Sequence, residues 1–162
     1  MNFLSFDRVD YDFSKGNRQI SRAKKPRDYS NQVVLASTRY IDVGSSDFSV
    51  RVVRNHKRVL IGAAIDSAYR YDTLDKRGWA ICPDPAEHHL VALGRTYHTE
   101  KLAIRDGQVV TVRVDVARKQ ISYLVDGVPL GLSHTMNITD ADIPKLKPVV
   151  QLCCIGDILD LA

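Results

Sequence analysis

Four residues in one short stretch, Cys82, His88, His89 and His98, are of the types that bind zinc through thiolate sulfur and imidazole nitrogen. Their spacing, Cys-x5-His-His-x8-His, matches none of the closely paired patterns of structural zinc sites. The sequence therefore assigns no metal, and His88-His89 reads as a polar turn after "PDPAE". Cys153 and Cys154 could supply a nucleophile if a histidine lay beside them. Both fall in "PVVQLCCI" (148–155), an apolar run that reads as a strand, where thiols are usually inert core residues. There is no glycine-rich phosphate loop and no carboxylate pair set for acid–base work. The expectation is a non-enzymatic protein with no catalytic residues and no cofactor.

What remains is recognition chemistry. In "DSAYRYDTLDKRGW" two tyrosines, Tyr69 and Tyr71, flank Arg70, and these are residue types that dominate binding hot spots. Between Lys15 and Arg27 stand Lys15, Arg18, Arg22, Lys24, Lys25 and Arg27 with no acidic residue. Arg51, Arg54, Lys57 and Arg58 form a second basic group around a turn. A solvated face explains these groups more simply than a binding patch does. The net charge of +4 permits acidic partners without requiring them.

The elements that would position these residues are strands. At 162 residues, 44% hydrophobic and 26% charged, the chain has the composition of one soluble domain with a real core. No apolar run reaches the roughly 18–20 residues needed to span a bilayer. The start, "MNFLSFDRVDYDF", lacks a basic front followed by a long apolar stretch and reads as no secretory signal. Three cysteines are an odd number, and neighbours on a strand point to opposite faces, so free thiols in a reducing compartment are expected.

"FSVRVV" alternates, "RVLIGAAI" is apolar throughout, and "NHK" between them suggests a hairpin. "GWAICPD" is a short strand stopped by proline. "VVTVRVDV" (109–116) turns inward Val110, Val112, Val114 and Val116. "QISYLV" and "VPLG" continue it as a meander, with a type I′ turn at Asp126-Gly127. A helical turn is expected at Asp140–Ile143, ended by Pro144. "PVVQLCCI", Gly156-Asp157 and "ILDLA" repeat strand, turn and strand. The pattern predicts an all-β fold, a two-layer antiparallel sandwich.

With its punctuation in order, the chain resembles a SPRY domain, a concanavalin-like sandwich. "DFSVRVV", "VLIGAAI", "RGWAI" and "KPVVQLCCIGDILDL" each resemble a strand of that family. "GQVVTVRVDVARKQISYLVDGVPLG" resembles its longest signature. Phe48 and Ser49 stand where the family usually has Trp and Glu. The likeness covers 47–161 of a single 1–162 domain; residues 1–46 hold the N-terminal strands and the basic segment. Trp79, the only tryptophan, reads as a core anchor, and Asp115 as a carboxylate bonding the backbone of the "ARK" turn.

The resemblance implies a module that captures a linear peptide of a protein partner through loops at one edge of the sandwich, as a subunit or adaptor of a larger complex. Carried over, the peptide surface would use Tyr69 or Tyr71, the turn at Ile155 and Gly156, and Arg22 with Pro26. A competing reading is an RNA-associated subunit contacting phosphate through Arg22, Lys24, Lys25, Arg27, Arg54, Lys57 and Arg58. A third is a carbohydrate-binding sandwich, which an exposed Trp79 would favour. The expected setting is intracellular, in cytoplasm or nucleus, with no membrane partner.

Overall fold

The computed structural model describes residues 2, 11–23, 33–35, 44–55, 59–65, 78–83, 89–92, 95–98 and 104–162. Two antiparallel sheets face each other. The strands in chain order are β1 (Tyr11–Ser14), β2 (Gln19–Arg22), β3 (Val33–Leu35), β4 (Ser45–Arg54), β5 (Val59–Ile65), β6 (Gly78–Cys82) and β7 (His89–Ala92). They continue with β8 (Arg95–His98), β9 (Val109–Asp115), β10 (Gln120–Val125), β11 (Val128–Thr135), β12 (Leu146–Leu152) and β13 (Ile158–Leu161). One sheet, of seven strands, has the order β1-β2-β13-β4-β9-β10-β11; the other, of six, has the order β3-β12-β5-β6-β7-β8. The fold is the expected two-layer β-sandwich. No helix among the described residues is long and apolar enough to cross a membrane.

The core lies between the sheets. Phe48, Val50 and Val52 of β4, Val110, Val112 and Val114 of β9 and Ile121 and Tyr123 of β10 line the seven-stranded side. Val59, Ile61, Trp79, Ile81, Val150 and Leu152 line the other. Along β5, β6 and β12 the six-stranded sheet is buried on its second face as well, at Leu60, Ala64, Ala80, Cys82, Val149 and Gln151. Burial on both faces is why β5 reads as an unbroken apolar run rather than an alternating one. The seven-stranded sheet instead turns a polar face to solvent, where the Arg113 guanidinium grips Asp47 at 2.7 Å and Ser49 bonds Thr111 at 2.8 Å.

The meander β9–β10–β11 follows the pattern expected of it. Asp126 and Gly127 both take positive φ, 48° and 80°, as a type I′ turn requires. The Asp126 carboxylate accepts the Val109 N–H and the Gln108 amide, both at 2.9 Å or less, and these bonds hold its pKa below the ordinary carboxylate value. Asp115 accepts the Arg118 N–H at 2.9 Å, closing the "ARK" turn.

Three local expectations are corrected. β4 and β5 do not form a hairpin: β4 pairs with β9 and β13, whereas β5 pairs with β6 and β12 in the opposite sheet. Likewise β12 and β13 belong to different sheets. Alternation identifies a strand but not its partner, so a crossing between layers and a hairpin look alike in sequence. The helical turn lies at Ile143–Lys145, with Pro144 in its first turn rather than ending it, because that position needs no intrahelical N–H donor.

Gly62 marks the closest approach of β5 to β6. A Cβ there would meet the Trp79 carbonyl and stand 2.6 Å from Ala80 Cα. Gly62→Ala is expected to destabilise the domain by about 3 kcal/mol, the upper range for overpacking, read as a lowered denaturant midpoint. Tyr123 is buried, its hydroxyl lacks a hydrogen-bond partner among the described residues, and burial pushes its pKa well above the ordinary phenol value. The unfolded phenol ionises near 10 while the folded one keeps its proton, so stability falls as pH rises past about 10. Tyr123→Phe is expected to match or exceed the parent in stability at neutral pH, and to remove that part of the alkaline loss in unfolding curves at pH 7 and 11.

Candidate functional site

One end of the sandwich gathers most of the described residues of interest. There the chain passes from one sheet to the other after β12, and β4 ends opposite the start of β13, with Ile158 paired to Arg54. The crossing is a tight turn. The Asp157 N–H reaches the Cys154 carbonyl at 3.1 Å, the Asp157 carboxylate accepts the Cys154 N–H at 2.8 Å, and Gly156 has φ +87°. A type II turn needs positive φ at its third position, which glycine supplies without strain. Ile155 occupies the corner and is 55% exposed.

The turn is docked on β2. The Gly156 N–H donates to the Arg22 carbonyl at 3.0 Å, and the Arg22 N–H donates to the Asp157 carbonyl at 3.1 Å. Arg22, Ile155 and Gly156, expected together from sequence, are thus brought together by the fold. The Arg22 side chain, however, is only 2% exposed. Its Nη1 donates to Tyr11 Oη at 2.7 Å and to the Leu152 carbonyl at 3.3 Å, and its Cζ sits 4.8 Å from the Tyr11 ring centroid. A guanidinium taken out of water must be compensated by bonds of this kind. What Arg22 offers a ligand at this end is backbone, not charge, and it drops out of a phosphate-contacting set.

Arg54 is exposed beside the turn. Next to it the Asn55 N–H donates to the Asp106 carboxylate at 3.1 Å, and the Asn55 amide nitrogen donates to the Pro83 carbonyl. Across the seven-stranded sheet the Asp126-Gly127 turn lies at the same end, and the following residue, Val128, is 66% exposed. Ile155 and Val128 are the large hydrophobic residues exposed among those described. Val128 was missed from sequence because "DGVPLG" reads as a hairpin alone; its place before Pro129 on an edge strand is the available signal.

Several other expected residues lie outside the described ones: Lys24, Lys25, Pro26, Arg27, Lys57, Arg58, His88, and Tyr69, Arg70 and Tyr71. The ends that flank the 66–77 connection are described. Ile65 and Gly78 lie toward Leu146, at the opposite end of β12 from Cys153. Cys153 and Cys154 are half-buried and follow β12 rather than lying within it, since Leu152 is its last residue. Trp79 is fully buried as a core anchor, which counts against a carbohydrate platform. On the open sheet face Lys15 pairs with Asp160 at 2.8 Å and Arg113 with Asp47 at 2.7 Å, while Arg51 donates to the Gly107 carbonyl at 3.0 Å.

No family model and no curated protein matches the sequence. Solved structures do. The TRIM65 PSpry domain superposes with a TM-score of 0.73 at 16% identity, covering 100% of this chain and 90% of that one. The SPRY domain of human HERC1 gives 0.67 at 15% identity, covering 94% and 91%. A further human SPRY domain gives 0.64 at 15%, covering 99% and 96%. The chain has the SPRY fold.

The Tyr11–Arg22 contact is expected to couple in a double-mutant cycle. Tyr11→Phe removes a hydrogen bond to a buried charge and should cost about 1.5–3 kcal/mol. Adding Tyr11→Phe to Arg22→Met should cost less than it does alone, by roughly 0.5–3 kcal/mol, when chemical unfolding is compared across the four proteins.

Proposed function

We propose that this chain is a non-enzymatic interaction module that captures a short linear segment of a partner protein at the end of the sandwich bearing the Ile155 turn. The observation that carries this reading is Ile155 itself. A large apolar side chain held in water costs free energy, and here it sits on a turn fixed by four hydrogen bonds to its own backbone, the Asp157 carboxylate and β2. A rigid, exposed apolar anchor loses little entropy on binding. Arg54 and Asn55 beside it supply polar contacts, and the Arg22 and Gly156 backbones form its rim.

Val128 lies four strand spacings from the start of β13, about 19 Å away, so an extended segment of about six residues would reach from one apolar anchor toward the other. Tyr69, Arg70 and Tyr71, with Pro26, are proposed as a separate contact surface from connections outside the described residues, since Ile65 and Gly78, which flank 66–77, lie at the opposite end of β12 from the Ile155 turn. The kinship of fold with SPRY domains supports the module class; the partner and an adaptor role are part of the proposal. The RNA reading loses support, because Arg22, one of its phosphate-contacting residues, is buried.

Peptides selected on the full chain from a phage-displayed random library provide the test. Ile155→Asp should weaken the selected peptides by about 30-fold or more, the scale of a binding hot spot, and leave thermal unfolding within a degree or two. Tyr69→Ala with Tyr71→Ala tests the separate surface and should weaken selected peptides whose binding Ile155→Asp leaves unchanged. If the selected peptides bind Ile155→Asp as tightly as the parent, the turn is not the site.

A further inference from the structure

The ion pairs among the described residues avoid the end of the sandwich that bears Ile155. Lys15 with Asp160, Arg113 with Asp47, Arg118 with Asp115 and Lys119 with Asp140 lie on the open face or at the end that carries the "ARK" turn. Toward the Ile155 end stand three exposed arginines, Arg51 and Arg54 of β4 and Arg105 before β9, and none of them is in an ion pair among the described residues. The acids beside them are occupied by backbone. Asp106 accepts the Asn55 N–H at 3.1 Å, Asp126 the Val109 N–H at 2.9 Å, and the buried Asp157 the Cys154 N–H at 2.8 Å. Arg51 gives one donor to the Gly107 carbonyl, and its charge adds a smaller share to the Val109 and Gln108 bonds that hold the Asp126 pKa down. Arg54 and Arg105 make no guanidinium bond among the described residues, which leaves their donors to a ligand. The strand order β13-β4-β9-β10-β11 sets Arg54 and then Arg105 between the exposed side chains of Ile155 and Val128.

From this arrangement we infer that the captured segment is acidic between two apolar residues, with its carboxylate on Arg54 and Arg105 and its apolar side chains over Ile155 and Val128. The inference rests on the peptide reading above and names the chemistry of that peptide. β4 lies one strand spacing from the start of β13 and the residues before β9 lie two, about 5 and 10 Å. An extended chain advances about 3.3 Å per residue, so the acid falls about two or three residues from the one that covers Ile155. A guanidinium grips a carboxylate through two parallel bonds, which fixes direction as well as charge. Apolar contacts on either side exclude water from that pair and so favour it. A phosphodiester chain would meet the same cations, but two exposed aliphatic side chains give its bases no stacking platform, and this favours a peptide over RNA.

Sequencing the phage-selected peptides and measuring synthetic copies by fluorescence anisotropy on the full chain, beside a short uridine oligonucleotide, tests the inference. Peptides that depend on Ile155 should carry Asp or Glu two or three residues from an apolar one. Replacing that acid by Asn or Gln should weaken them by about tenfold. Arg54→Glu with Arg105→Glu should weaken them by at least as much and turn the preference toward copies with Lys in place of the acid. Both positions are exposed, so thermal unfolding of that variant should stay close to the parent's. Ile155-dependent peptides that lack an acid, or that bind the double arginine variant as tightly as the parent, overturn this inference and leave the peptide site standing. If no selected peptide depends on Ile155, the site itself fails and the inference with it. Oligonucleotide binding tighter than that of the peptides, and lost in the double arginine variant, gives the arginines to phosphate and overturns the inference as well.

Discussion

The structure depends on how the chain crosses between its two sheets at residues 152–158. β12 is an inner strand of one layer and β13 an inner strand of the other, so the registers of both layers meet in this short turn. A slip of one residue on either side would exchange core and surface along a whole strand. Arg22 prevents it. Its backbone brackets the turn through Gly156 and Asp157, while its guanidinium ties the Leu152 carbonyl of one sheet to the Tyr11 hydroxyl of the other. An arginine suits this task because several rigid donors leave one planar group in fixed directions, and its flat face can rest on an aromatic ring. The cost of burying the charge is met by partners on strands that must be correctly placed before the bonds can form.

With the layers locked, the surfaces divide by chemistry. The six-stranded sheet is buried on both faces along β5, β6 and β12 and presents little to solvent there. The open face of the seven-stranded sheet is polar, and its side chains are spent on one another: Arg113 on Asp47, Lys15 on Asp160, Ser49 on Thr111. Exposed pairs of this kind add little stability, but they leave few unsatisfied groups for a partner to exploit. The large apolar side chains exposed among the described residues lie instead on turns at one end of the sandwich, Ile155 at the crossing after β12 and Val128 after Asp126-Gly127.

Much of this was legible in the sequence wherever the determinant was local. The valine alternation of β9, the Asp126-Gly127 turn, the carboxylate of Asp115 at the "ARK" turn and the burial of Trp79 all follow from residues within one strand or hairpin. Strand partnership was not legible, because nothing in "FSVRVV" or "RVLIGAAI" says which strands each will pair with. The fate of Arg22 was hidden for the same reason. Among five other basic residues it looks like a member of a solvated patch, and only the placement of Tyr11 and Leu152 makes it a core residue.

Asn55 carries that lesson to the end of the sandwich that bears the Ile155 turn. In sequence it belongs only to the "NHK" break between two apolar runs. In the fold its backbone N–H meets Asp106 on the seven-stranded side, its side-chain amide meets the Pro83 carbonyl on the other, and Arg54 precedes it beside Ile158. Each of these partners is remote in sequence, so no local pattern could have named them. A residue that reads as a break is thus a tie between the two layers, next to the turn in which their registers meet.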